Sequence, residues 1–169
     1  MPRVSESFDA DTVEWRRITD ASDPDYLVDF EYSLLGYDLQ TGRLDMLLRF
    51  SGNGGHCRRH RHIAATVTLV LEGEQHVTEQ AADGSVVKST VRAKGEYAFA
   101  EADAAPHMER GGPGGGTVLL SMSTPDGRLF EYFDKDMNSI KVLTVEEYVE
   151  SWNRGAVPGA VEGREASAA

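Results

Sequence analysis

Apolar residues in this chain come in short runs divided by turn-forming residues, and that spacing predicts strands. Val13 to Ile18 reads as a short edge strand. It is followed by turn chemistry at Asp20 to Asp25, where Pro24 fixes one dihedral. Tyr32 to Leu39 and Leu44 to Phe50 make a hairpin across Gln40-Thr41-Gly42-Arg43, with glycine at the strained position. The run Ile63 to Leu71, closed by Gly73, predicts a buried strand. Glu74 to Gln80 and Val86 to Val91 form a second hairpin, turned at Ala82-Asp83-Gly84. Gly95 precedes a short strand, Tyr97 to Ala100, while GGPGGG (Gly111 to Gly116) reads as a flexible connection. Val118 to Ser123 and Arg128 to Asp134 close the set. About eight or nine strands, with turn signals roughly every eight to twelve residues, predict a sandwich or barrel.

One helix is expected, late in the chain. Thr144 opens a capping box, and Val145, Tyr148, Val149 and Trp152 share one face. Such a helix covers the barrel or joins a partner subunit. Residues 1–12 and 155–169 are polar or small and read as a flexible arm and tail around one domain, residues 13–154.

Composition narrows the class. The chain has 169 residues, 40% of them hydrophobic, which suits one domain with a sizeable core. Its formal net charge of −11 would repel phosphates and argues against a nucleic-acid partner. Cys57 is the single cysteine, so no intrachain disulfide can form, which fits a reducing compartment. The N-terminal stretch lacks the apolar core of a signal peptide, and Ile63 to Leu71 is too short to span a bilayer. The expectation is a cytoplasmic protein with no membrane partner.

Candidate chemistry concentrates at GNGGHCRRHRH, Gly52 to His62. His60 and His62 are two apart, so on an extended strand both imidazoles point to one face. Imidazole is the commonest metal ligand near neutral pH. The glycine-rich loop lets the backbone turn both rings inward, and His107, in AEADAAPHMERGG, is the expected third ligand. Thr66 and Thr68 share the parity of the two histidines, so they either line the lumen against a substrate or serve only as good strand formers. His76, on the second hairpin, is a further candidate for the lining, and His56 a weaker one. Arg58, Arg59 and Arg61 either pair with carboxylates or draw an anionic substrate to the mouth.

These residues carry a resemblance. Gly54, then His60-x-His62, then Gly73 eleven beyond His62 resembles the first conserved motif of the cupin superfamily; Gly95, a short strand and Pro106-His107 resembles the second. The resemblance covers roughly residues 44–123 and implies a double-stranded β-helix, a jelly-roll barrel. Two departures stand out. No acid occurs between Ile63 and Leu71, where most metal cupins place a glutamate ligand. The usual proline-x-glycine of the second motif is replaced by Glu101-Ala102-Asp103. The chain therefore resembles the three-histidine branch of acetylacetone dioxygenase and 2,4'-dihydroxyacetophenone dioxygenase. In the diketone enzyme a glutamate stands six residues before the third histidine, and Glu101 stands six before His107.

The resemblance implies iron(II) on His60, His62 and His107, with Glu101 either orienting a ligand histidine or standing only as a surface acid on a loop. The implied reaction is dioxygen-dependent cleavage of a carbon–carbon bond in a β-diketone or α-hydroxyketone. It also implies a homodimer paired through outer strands. Nitrogen ligands suit zinc, nickel, manganese or copper as well. Two other expectations stay open: non-oxidative Lewis-acid chemistry at the same site, and a non-catalytic metal-binding sensor.

Overall fold

The computed structural model describes residues 9–23 and 25–158. Pro24 and most of the expected arm and tail, residues 1–8 and 159–169, lie outside the described residues. Ten strands and one helix follow a 3-10 turn at Ala10–Thr12. The strands are β1 (Arg16–Asp20), β2 (Val28–Asp38), β3 (Arg43–Phe50), β4 (His60–His62), β5 (Ala65–Gln80), β6 (Val86–Ala93), β7 (Tyr97–Ala100), β8 (His107–Ser123), β9 (Arg128–Phe133) and β10 (Ser139–Thr144). Helix α1 spans Val145–Arg154.

Two long strands organise the rest. The first half of β5, Ala65 to Val70, pairs with Val118 to Ser123 of β8; its second half, Gln75 to Glu79, pairs with His107 to Gly111. One half of the sheet therefore runs β1-β2-β3-β8-β5-β7, and the other runs β6-β5-β8-β4-β9-β10. Every pairing between strands is antiparallel. The sheet folds over where β5 and β8 bend, giving the expected jelly-roll barrel. Leu44, Met46, Leu48 and Phe50 of β3 bury against Val118, Leu120 and Met122 of β8, and Leu129 and Phe130 of β9 join the same core.

The bend corrects one expectation. GGPGGG is no loose connection but part of β8, packed against the turn of β5. A Cβ on Gly116 would lie 2.0 Å from the Glu74 carbonyl oxygen, and one on Gly115 (φ +83°) would lie 2.6 Å from that of Phe50. The glycines are there because two backbones approach too closely for side chains.

The helix forms as its sequence predicts. Thr144 Oγ1 accepts from the Glu147 N–H at 3.1 Å, and Glu147 returns a carboxylate to the Thr144 N–H at 3.0 Å. Gly155 ends the helix in the left-handed conformation at φ 69°. Val145, Tyr148 and Val149 bury into the barrel core, so α1 covers the barrel with this face. Beyond it, the start of the expected tail also departs from its reading. Val157 packs on the core and Pro158 is buried, its carbonyl accepting from Arg58 Nη1 at 3.3 Å.

Strand β10 was not expected. It is an edge strand with only Leu143 buried, so its sequence carries no alternation to announce it. Among the described residues no helix is long and apolar enough to cross a membrane.

Candidate metal centre

Strand β4 is three residues long, and its brevity defines the site. His60 stands directly opposite His107 of β8 on one side and opposite Tyr132 of β9 on the other, while His62 stands opposite Phe130. Alternation along β4 puts His60 and His62 on the inner face, with Arg61 outside, paired to Glu131 and Asp103. The same alternation on β8 puts His107 and Glu109 inside. His60, His62, His107 and Glu109 are all buried, and one potential ligand atom from each lies within 4.8 Å of all the others.

Hydrogen bonds settle which imidazole nitrogens are free. His60 Nδ1 lies 2.7 Å from the Arg58 carbonyl, and His107 Nδ1 lies 2.9 Å from that of Ala105. A carbonyl can only accept, so both Nδ1 atoms carry protons. For His62 the partner is Thr66 Oγ1 at 2.7 Å. That hydroxyl donates its own proton to the Ala64 carbonyl at 3.0 Å, so it accepts from His62. In each neutral ring the lone pair therefore sits on Nε2. The Nε2 atoms of His60 and His62 are 3.0 Å apart, and Glu109 Oε1 is 3.0 Å from His107 Nε2 and 4.0 Å from His62 Nε2.

Burial shapes the charges. It lowers the pKa of His60 to about 4, with His107 adding to the effect, and it takes His62 well below the usual range. Burial also disfavours a charged His107, but the Glu109 carboxylate outweighs it, and the His107 pKa is raised. Glu109 shows the mirror image: burial opposes its charge, yet the hydrogen bond and charge of His107 hold its pKa below the usual carboxylate range. Its second oxygen accepts from Gln75 Nε2 at 3.3 Å, and Gln75 Oε1 accepts from Arg92 at 2.8 Å. Cys57 braces the same strand: its N–H donates to the Glu109 carbonyl at 2.8 Å, and its sulfur accepts from the Glu109 N–H at 3.1 Å.

These four residues fit a divalent cation on their own chemistry. Two bare imidazole lone pairs facing each other at 3.0 Å repel, and a cation between them removes the repulsion. Three nitrogens and one carboxylate oxygen suit a first-row transition metal, with each imidazole oriented by its other nitrogen.

The structure rearranges the expected roles. It brings together His60, His62 and His107, but the acid beside them is Glu109, so the expected three-histidine set gains a carboxylate. Glu101 is exposed just past β7, and the ligand histidines take their orienting bonds from Arg58, Thr66 and Ala105 instead. Thr66 is buried beneath His62, and Thr68 is buried too, but neither lines the cavity beside the site. His76 is half-buried and bonded to Glu74 at 2.7 Å, away from that cavity. The signal for Glu109 was present: it repeats at His107 the two-residue spacing of His60 and His62. It is missed when the acid is sought only after the second histidine.

The cavity opens next to His60. Its walls include Phe30, Met46, Leu48, Leu120 and Phe130, and Tyr132 and Tyr148 also line it. Its volume is about 40 Å³.

Barrel and site together define a cupin-fold protein with a four-residue group able to hold a metal ion. The chain is similar to a provisional acetylacetone dioxygenase from Methylibium petroleiphilum PM1, at TM-score 0.61 and 17% identity over 90% of this chain and 97% of that one. An acetylacetone dioxygenase from Acinetobacter johnsonii matches at TM-score 0.59 and 14% identity, over 91% of each chain. An RmlC-like cupin from Ralstonia eutropha JMP134 matches at TM-score 0.59 and 17% identity, over 92% of each. At these identities the likeness establishes the fold. No protein-family model and no curated protein sequence matches the chain.

Proposed function

We propose that His60, His62, His107 and Glu109 hold one iron(II) ion, and that the protein uses dioxygen to cleave a carbon–carbon bond in a small enolisable dicarbonyl compound. The observation that supports this most directly is the convergence of three inward-turned Nε2 atoms, those of His60 and His62 without protons, and one carboxylate in a buried pocket. Iron bound there would supply a Lewis acid for two enolate oxygens and the redox reactivity that dioxygen requires. Glu109 contributes one negative charge against two positive ones, so an enolate monoanion would complete neutrality. The fold shared with two acetylacetone dioxygenase structures adds support.

The protein's own residues have three tasks in this reading. The backbone carbonyls of Arg58 and Ala105 and the Thr66 hydroxyl fix the imidazole tautomers. The apolar wall formed by Met46, Leu48, Leu120 and Phe130 excludes water and receives the apolar arm of the substrate. Tyr132, whose phenol burial pushes up to about 12, stays neutral and able to donate. Cavity size favours one of the two substrate types. An engineered cavity of roughly 150 Å³ admits benzene; the 40 Å³ here suits a short acyl arm better than an aryl ring.

The test loads apoprotein separately with iron(II) and with zinc and offers pentane-2,4-dione and a hydroxyacetophenone, with and without air. One dioxygen consumed per diketone, with iron only and with both oxygen atoms retained in two carbonyl fragments, is the expected result. Equal anaerobic turnover with zinc would move the protein to non-oxidative Lewis-acid chemistry.

A further inference from the structure

Tyr148 carries a feature that folding alone does not explain. The residue is 3% exposed, it lines the cavity beside His60, and its hydroxyl is buried with no hydrogen-bond partner among the described residues. A buried hydroxyl without a partner loses its hydration and gains nothing in return, whereas phenylalanine would fill the same volume at no such cost. The neighbouring polar groups do not relieve it. Tyr32 meets the Tyr148 ring edge-on, with centroids 6.1 Å apart. Tyr132 lines the same cavity, and burial raises both phenols. Arg58 gives a guanidinium N–H to the Pro158 carbonyl at the cavity margin.

We propose that Tyr148 is the specificity-determining residue of this cavity, its hydroxyl donating a hydrogen bond to an acceptor oxygen on the arm of a compact ligand. This rests on the reading of the cavity as the substrate chamber beside the metal. The apolar walls make the chamber selective for a small hydrocarbon frame. The unpaired hydroxyl adds a requirement for one acceptor, because a ligand with a carbonyl, ether or hydroxyl oxygen satisfies it and a pure hydrocarbon does not. Buried polar groups left waiting for a ligand discriminate more sharply than apolar fit. The ligand class is accordingly a short-chain oxygenate of a few heavy atoms, carrying one acceptor oxygen on its arm beyond the two that the proposed reaction places on the metal.

The experiment uses two isosteric probes, acetone and isobutene, on the zinc-loaded full chain carrying ¹³C-methyl methionine. Met46 lines the cavity and reports occupancy, its signal identified by Met46→Leu. Neither probe needs dioxygen or turnover, so failure of the proposed reaction leaves this measurement intact. Acetone gives up more hydration than isobutene on entering the cavity, so the quantity read is the change in their affinity ratio on mutation. Tyr148→Phe is expected to weaken acetone relative to isobutene about 2- to 12-fold, the range one neutral hydrogen bond supplies, and to melt, ligand-free, no lower than wild type. An affinity ratio unchanged in Tyr148→Phe would overturn the proposal, as would the absence of any Met46 response to either probe. A lowered melting temperature in Tyr148→Phe would show the hydroxyl to be a structural partner and overturn it as well.

Discussion

Two residue pairs with the same spacing meet in this site, and their electrostatics are opposite. On β4, His60 and His62 are both pushed toward the neutral form, because burial disfavours an imidazolium there more than the Glu109 charge supports it. On β8, His107 sits against Glu109 at 3.0 Å, and each stabilises the charged form of the other. Spacing decides only which face of a strand a residue occupies. What it carries there is decided by the groups across the barrel. The β4 pair has ready lone pairs, while the β8 pair brings the negative charge that keeps a buried cation tolerable.

The comparison breaks most visibly if one pair suffices for metal. His60→Ala, His62→Ala and His107→Ala are each expected to lose most of the bound metal in elemental analysis of protein purified without added metal, while His76→Ala keeps it. Stoichiometric metal in His107→Ala would remove His107 from the site. Glu109→Gln keeps the shape and removes the charge, so it too is expected to lose metal.

A smaller effect separates the supports of the two pairs. Thr66→Val takes the acceptor from His62 Nδ1, and Gln75→Leu takes the donor from the outer oxygen of Glu109. Each should weaken metal affinity about 10- to 100-fold, the usual range for partners of ligating groups. Competition with a chromophoric chelator measures it. Unchanged affinity in Thr66→Val would mean that the hydroxyl does not set the His62 tautomer.

The smallest effect belongs to the acid that only looked well placed. Glu101→Gln is expected to leave metal affinity unchanged and stability within about 0.5 kcal/mol, as for other exposed substitutions. A tenfold loss of metal affinity would return Glu101 to the site.

Much of this molecule is legible in local pattern. Tyr97 to Ala100 is a strand with the expected bounds, the hairpin of β5 and β6 turns where Asp83-Gly84 says it must, and Thr144 with Glu147 caps the helix as written. His60-x-His62 places two imidazoles on one inner face because alternation on a strand is a property of the strand alone. The cupin fold followed from that pair, its glycines and the later Pro-His. Other features are not local. Gly111 to Gly116 read as a loop until the approach of β5 shows that its glycines make room for another backbone. Pro158 belongs to a polar tail in sequence and to the cavity wall in space. Glu109 is one acid among many until β8 lies beside β4. Strand period and turn chemistry act between near neighbours, so the chain determined its strands and the faces of its histidines by itself. Which carboxylate completes the site and which phenol is left unpaired depend on contacts between residues far apart in the chain. Those only the folded barrel decided.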